Sequence, residues 1–228
     1  MTEEELNEFE KVGRAIEELV HIPWTKRVFD IALSLLLLIL LTPLFVTILL
    51  ASALDSLLVR LDRGPFFLSE PRGSEGRVFN LYKFRIVRME AYHRISQAQK
   101  YLHIKEMERV DGNLTAVGRV LKKIYMDELP QFFLILKGDM SFVGPRPWPL
   151  EPYYAELEKG ILRKRLIRPG LTGLVQANKG VKGGPDEWTL DYAYIGFMSS
   201  PRSGFAKLGL DLRILGRSLR TLMEAKGL

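Results

Sequence analysis

The chain has no cysteine among its 228 residues, which excludes disulfides, a thiolate nucleophile and zinc-thiolate centres. Histidine is scarce as well: His21, His93 and His103 lie far apart and are expected to be structural or exposed rather than metal ligands. The phosphate-cradling signature GxxxxGK[ST] does not occur. There is no long basic run or aromatic-basic repeat to track a nucleic-acid backbone, so no nucleic-acid partner is expected. The first ten residues, MTEEELNEFE, are acidic where a secretory signal is basic, which argues against a cleavable signal. Internal repeats are missing, as is any linker between two globular units.

Charge is missing altogether from Ile31 to Leu54, IALSLLLLILLTPLFVTILLASAL. A bilayer core needs roughly 20 apolar residues, so this stretch identifies a membrane protein. Thr42 and Pro43 interrupt it near the centre, and a mid-helix proline removes a donor and clashes with the preceding turn. The helix either spans with a kink or dips in and returns. Lys26 and Arg27 precede the stretch, and Arg60, Arg63, Arg72 and Arg77 follow it. Basic flanks on both sides favour a re-entrant hairpin with both ends cytoplasmic.

The rest of the chain suffices for one modest globular domain. With 33 Lys and Arg against 27 Asp and Glu, the formal charge of +6 suits an anionic leaflet or an anionic substrate. Thr2 and Glu5 have capping-box spacing, and Leu6, Phe9, Val12, Ile16 and Leu19 recur at helical intervals, so an amphipathic helix opens the chain. It packs either on the domain or on the membrane. Trp24 with Lys26 and Arg27 has the composition of an interfacial anchor.

Residues 77–86, RVFNLYKFRI, read as a strand that puts Lys83 and Arg85 on one face, where two cations could hold phosphate oxygens or simply face solvent. Residues 88–111 are polar and rich in helix formers, an exposed helix or insertion. A helix over residues 115–125 carries Arg119, Lys122 and Lys123 into MDELPQFFLILKGDMSFVGPRP. There Pro130 marks a helix start near Asp127, and Gly138 a stop. Acidic residues at a helix start are common for stability alone. Gly144, Pro145, Arg146 and Pro147 then form a stiff turn that fixes one guanidinium, which suits bidentate phosphate binding. A second loop, Arg168, Pro169, Gly170, Thr172 and Gly173, lets backbone donors approach a ligand. Near the end, Leu208, Leu212, Leu215, Leu219 and Leu222 against Arg213, Arg217 and Arg220 predict a basic amphipathic helix, on the membrane or over the core.

Taken in order, KRVFDIALSLLLLILLTPLF, GPFF, FNLYKFR, MDELPQFFLILKGDMSFVGPRP, RPGLTGLVQANKG and LDYAYI resemble the bacterial monotopic phosphoglycosyl transferases, also called bacterial sugar transferases. The resemblance runs from Lys26 to about Leu222. It implies an α/β, mainly helical fold: a small globular domain with a re-entrant membrane helix, broken at Thr42 and Pro43, and interfacial amphipathic helices. The expected division is residues 1–25 as the N-terminal helix, 26–58 as the membrane hairpin, and 59–228 as the catalytic domain. The implied reaction moves a sugar 1-phosphate from a UDP-sugar to a polyprenyl phosphate and releases UMP, on the cytoplasmic face of the bacterial inner membrane. Mapped onto this chain, the nucleophile is Asp127 and the magnesium-binding carboxylate is Glu128. Lys83, Arg85, Lys122, Arg146, Arg168 and Asp191 match positions expected at substrate phosphates or the nucleotide, and Asp139 a further charged position. Membrane lipids are expected partners, with a second copy or a downstream glycosyltransferase as protein candidates. The chain departs from the family pattern at Glu70, Lys122, Leu174, Lys179 and the segment after Tyr194, where donor recognition would differ. A non-catalytic membrane scaffold of the same fold is the alternative.

Overall fold

A computed structural model describes residues 1–98, 107, 110, 112–180 and 183–224. Much of the stretch 88–111, expected as a helix or insertion, lies outside the described residues; α4 (Met89–Ala98) is its described part.

The chain opens with α1 (Glu3–Arg14), which starts at the expected capping box: Thr2 accepts from the Glu5 amide, and the Glu5 carboxylate accepts from the Thr2 amide. The helix is shorter than its apolar spacing predicts. Val12 and Leu19 are exposed, and the buried residues are Leu6, Phe9 and Gly13. These seat α1 on α9 (Glu187–Ser199), with Gly13 facing the Tyr192 carbonyl and Gly196 facing the Phe9 carbonyl so closely that a Cβ on either would overlap backbone. Gly13 is thus the point of contact between two helices. Phe9 meets Phe197 edge-on at 5.1 Å, and Arg14 lies over the Tyr192 ring.

The apolar stretch forms α2 (Trp24–Leu40) and α3 (Thr42–Leu58), bent by 57° at Leu41. Pro43 has no amide to donate, and Thr42 Oγ1 reaches back 2.7 Å to the Leu38 carbonyl, so the break's polar groups are partly satisfied within the bend. Among the described residues no single helix is long and apolar enough to cross a membrane; the bent pair is, by length and composition. Large apolar side chains project outward along both arms, among them Leu36, Ile39, Leu40, Leu50, Leu57 and Leu58.

Lys26 and Arg27, expected as a basic flank and interfacial anchor before the hairpin, instead tie it to the globular domain. Lys26 is 2% exposed, donates to the Val143 carbonyl and pairs with Asp211 at 2.6 Å; the Tyr194 hydroxyl joins both partners. Arg27 donates to the Ile135 and Leu136 carbonyls. One turn after Lys26, Asp30 accepts from the Phe142 amide, so α2 is tied by its polar face to the globular domain.

That domain holds an antiparallel hairpin, β1 (Phe67–Ser74) and β2 (Arg77–Phe84), turned through Glu75 and Gly76, both at positive φ as a two-residue loop requires. α5 (Ala116–Lys123) and α6 (Gln131–Lys137) follow, then β3 (Ser141–Val143), β4 (Trp148–Pro149) and α7 (Leu150–Glu158). β4 joins the far edge of β1, pairing Gly73 with Trp148 and Arg72 with Pro149. β5 (Gly170–Thr172) runs parallel to β3, and α8 (Leu174–Ala177) precedes α9. The closing helix α10 (Gly204–Glu224) buries Leu210, Asp211, Ile214 and Ser218, while Phe205, Leu212 and Leu219 face outward with Arg213, Arg217 and Arg220. Its inner face is therefore offset from the leucine stripe the sequence suggests, because Asp211 is drawn inward by Lys26.

The loops at Gly144 and at Gly170–Gly173 meet each other. A Cβ on Gly144 would overlap the Arg168 carbonyl, one on Gly170 the Gly144 amide, and one on Gly173 the Gly144 carbonyl. These glycines, expected to admit a ligand, admit backbone to backbone instead, and so lock the arginine turn against β5.

Candidate active site

Asp127 and Glu128 lie in a 3₁₀ turn (Met126–Glu128), one step before α6, whose first residue is Gln131. The expected helix start at Asp127 is thus displaced to Pro130. Tyr125, with φ 56, turns the chain from α5 into this segment, a left-handed conformation that a tyrosine holds only under constraint. The turn places Asp127 in a buried position, at 6% exposure, with Glu128 beside it, half-buried.

From β2, Lys83 reaches both carboxylates: its ammonium is 3.2 Å from Glu128 Oε1 and 3.9 Å from Asp127 Oδ2. Arg146, exposed on the turn after β3, approaches the same Oε1 at 3.4 Å. Burial raises the Glu128 carboxyl, but Lys83 and Arg146 outweigh it and hold the group below the ordinary carboxylate range. Burial likewise works against the charge on Lys83, and Glu128, Glu70 and Asp127 overcome it, so Lys83 titrates above its usual range. Lys83 and Glu128 therefore form a charged pair at neutral pH, with Arg146 and Asp127 beside it.

The pocket beside them is lined by Arg72, Leu81, Glu128, Gln131, Arg146 and Pro147, with Gly170 and Leu171 on the β5 side. Arg72 was not among the sequence-derived site residues; its ion-pair partner is Glu70, one of the positions where the chain departs from the family pattern. The signal was the spacing: side chains two apart in a strand share a face, and FLSEPRGS puts Glu70 and Arg72 together. Gln131, the last residue of the DELPQ run, also turns into the pocket.

Of the sequence-derived candidates, the structure assembles Lys83, Asp127, Glu128 and Arg146. Lys122 is half-buried in the last turn of α5, just before Tyr125. The other three have partners elsewhere. β2 ends at Phe84, so Arg85 leaves the strand face of Lys83 and donates to the Pro65, Asp62 and Val87 carbonyls, tying the end of α3 to the sheet. Arg168 pairs with Glu75 at 3.7 Å, at the hairpin turn, where Arg77 bridges Glu75 and Asp139. Asp191 is buried on α9 between Arg163 and Lys164, each at 2.7 Å.

Among the described residues no group of three or more His, Asp or Glu forms a ready metal cage. Glu128 nevertheless suits a hard cation that draws most of its ligands from phosphate and water. Lys83 and Arg146 both approach Glu128 at Oε1.

Comparison with known proteins gives the family. The family described as bacterial sugar transferase matches residues 22–225. The undecaprenyl-phosphate glucose phosphotransferase of Komagataeibacter xylinus is 37% identical over 67% of this chain and 27% of its own length. A UDP-N-acetylgalactosamine-undecaprenyl-phosphate N-acetylgalactosaminephosphotransferase of Aeromonas hydrophila is 32% identical over 81% of this chain and 41% of its own. EpsL of Bacillus subtilis, described as an uncharacterized sugar transferase, is 34% identical over 75% of this chain and 76% of its own. The chain thus aligns with less than half the length of the first two relatives. With the family match running from just before α2 to the end of α10, the chain belongs to the bacterial sugar transferases.

Proposed function

We propose that the protein transfers a sugar 1-phosphate from a UDP-sugar to a polyprenyl phosphate, with Asp127 as the covalent relay, in the first membrane step of surface glycan assembly. The observation that carries this reading is the buried Asp127 beside Glu128, with Lys83 and Arg146 closing on the pair. The names of the relatives, which act on undecaprenyl phosphate, support the acceptor class.

A carboxylate attacking a diphosphate must approach an anion, so the local charge has to be offset. Lys83 lies between Asp127 and Glu128, and Arg146 and Arg72 line the pocket that would take the diphosphate. In the first step an Asp127 oxygen bonds the β-phosphorus and the bond to the bridging oxygen breaks, so UMP leaves with that electron pair. In the second, a polyprenyl phosphate oxygen attacks the same phosphorus and the Asp127 carboxylate departs. Two displacements replace one encounter between bulky anions. Glu128 would hold magnesium, and the ion would supply charge neutralisation to the diphosphate.

The hairpin supports a monotopic placement on the cytoplasmic leaflet. Each arm is 17 residues, about 25 Å long. If both outer ends rest at one surface, a 57° bend brings the break about 12 Å deep, within one leaflet of a core roughly 30 Å thick.

The test is UMP release from a panel of UDP-sugars by protein in detergent or native lipid, with polyprenyl phosphate and magnesium. Release with one donor, dependent on acceptor and metal, is expected. No release with any donor, in protein that binds UDP, would overturn the reading.

A further inference from the structure

Among the described residues, a second buried cluster of charges lies apart from the Lys83–Glu128 pair. Arg163, 0% exposed, forms a fork with Glu156 at 2.6–3.1 Å and reaches Asp191 at 2.7 Å and Glu187 at 3.0 Å. Lys164, 3% exposed, pairs with the same Asp191 and Glu187 at 2.7 and 2.9 Å. Both cations sit against one ring: Arg163 Cζ is 4.5 Å and Lys164 Nζ 5.1 Å from the centre of Trp148. Trp188 takes Arg163 at 5.5 Å. Two cations so deeply desolvated need ample compensation, and carboxylates from α7 and α9 supply it.

Trp148 is two residues from Arg146, with only Pro147 between them, and it pairs with Gly73, the neighbour of Arg72. The ring held by Arg163 and Lys164 thus fixes the short β4 segment that sets both arginines lining the pocket. α9, which provides Asp191 and Glu187, is itself covered by α1, a helix outside the family match.

We infer that Trp148, gripped by the Arg163–Lys164 pair, is a positioning residue that sets Arg146 and Arg72 to receive the donor diphosphate. The inference rests on the reaction proposed above. It makes a distinct claim: donor affinity is tuned by a buried ionic network that touches neither substrate nor Asp127.

The experiment compares Trp148→Leu and Trp148→Phe with the wild type in steady-state UMP release. Arg163→Lys is the second variant, and intrinsic fluorescence melting checks that each protein is folded. Arg146 and Arg72 hold the diphosphate in ground and transition states alike, so their displacement raises KM with kcat nearly unchanged. Trp148→Leu is expected to raise donor KM about thirtyfold, the size of a desolvated cation-ring contact, while the acceptor KM stays put. Trp148→Phe, which keeps a ring, should recover most of the loss. Partial unfolding alone would lower the apparent kcat at constant KM. That pattern, or an unchanged donor KM in Trp148→Leu and Arg163→Lys, overturns the inference while leaving the reaction standing. Absence of turnover in the wild type strikes at the reaction instead, and UDP affinity then tests the positioning role: a Kd the same in wild type and Trp148→Leu overturns it.

Discussion

Lys83 lies within 4 Å of both carboxylates, so Lys83→Met removes a charge on which the site's electrostatics depend. At 3.2 Å the attraction to Glu128 is about 5 kcal/mol with an effective dielectric near 20. Methionine fills the same mostly buried space without a charge to desolvate, and breaking such a pair leaves a net loss of about 3 kcal/mol. For a chain of 228 residues this lowers Tm by roughly 6–12 °C. The sign of the pH dependence follows from the two shifts. Glu128 titrates below its ordinary 4.5 in the folded protein, so its contribution is complete above that value and is lost as pH falls through the folded pKa. Lys83 titrates above its ordinary 10.5, so its contribution is complete below that value and is lost only as pH rises through the higher folded pKa. The wild-type pair is therefore constant between about pH 5 and pH 10. In Lys83→Met the burial of Glu128 loses its main counterweight and the carboxyl moves upward. Acid then neutralises it, and the Tm deficit measured by intrinsic fluorescence in detergent narrows from about pH 8 to about pH 5. A deficit equal at the two pH values, or wider in acid, would refute the reasoning, as would a variant as stable as the wild type.

Gly196→Ala should detach α1, because the added methyl overlaps the Phe9 carbonyl; limited proteolysis should then cut within the first 20 or so residues, and Tm should fall by several degrees. Arg85→Met removes donors to the buried Asp62 and Val87 carbonyls and to that of Pro65, at the joint between α3 and the sheet, and is expected to cost about 2–4 kcal/mol of stability while leaving the donor KM of the surviving enzyme unchanged. Pro43→Ala restores a backbone donor at the bend and should straighten the hairpin; single cysteines placed at the exposed positions 21 and 60 should then label from opposite sides of the membrane rather than from one.

The sequence made the bend legible because Thr42 and Pro43 interrupt a run with no other polar break near its centre, and a proline acts through its own missing amide. Asp127, Glu128, Lys83 and Arg146 became candidates through the family resemblance, and the structure brings the four together. What escaped the sequence was long-range pairing. ILRKRL has the look of a solvated basic run, yet Arg163 and Lys164 are buried because Glu156, Glu187 and Asp191 arrive from two helices. Lys26 and Arg27 suggested a membrane flank and proved to be interior ties for the same reason: Asp211 stands 185 residues away in the chain, and the Ile135 and Leu136 carbonyls more than a hundred. Gly13 reads as a weak point in a helix until Gly196 is placed against it.

The measurement that bears most directly on the central claim is intact-protein mass spectrometry after mixing the enzyme with its UDP-sugar and magnesium in the absence of acceptor. The account predicts a gain of one sugar phosphate, mapped by peptide analysis to Asp127, lost on adding polyprenyl phosphate and never formed in Asp127→Asn. Turnover by the wild type with no adduct under any quench, together with undiminished UMP release by Asp127→Asn, would contradict it.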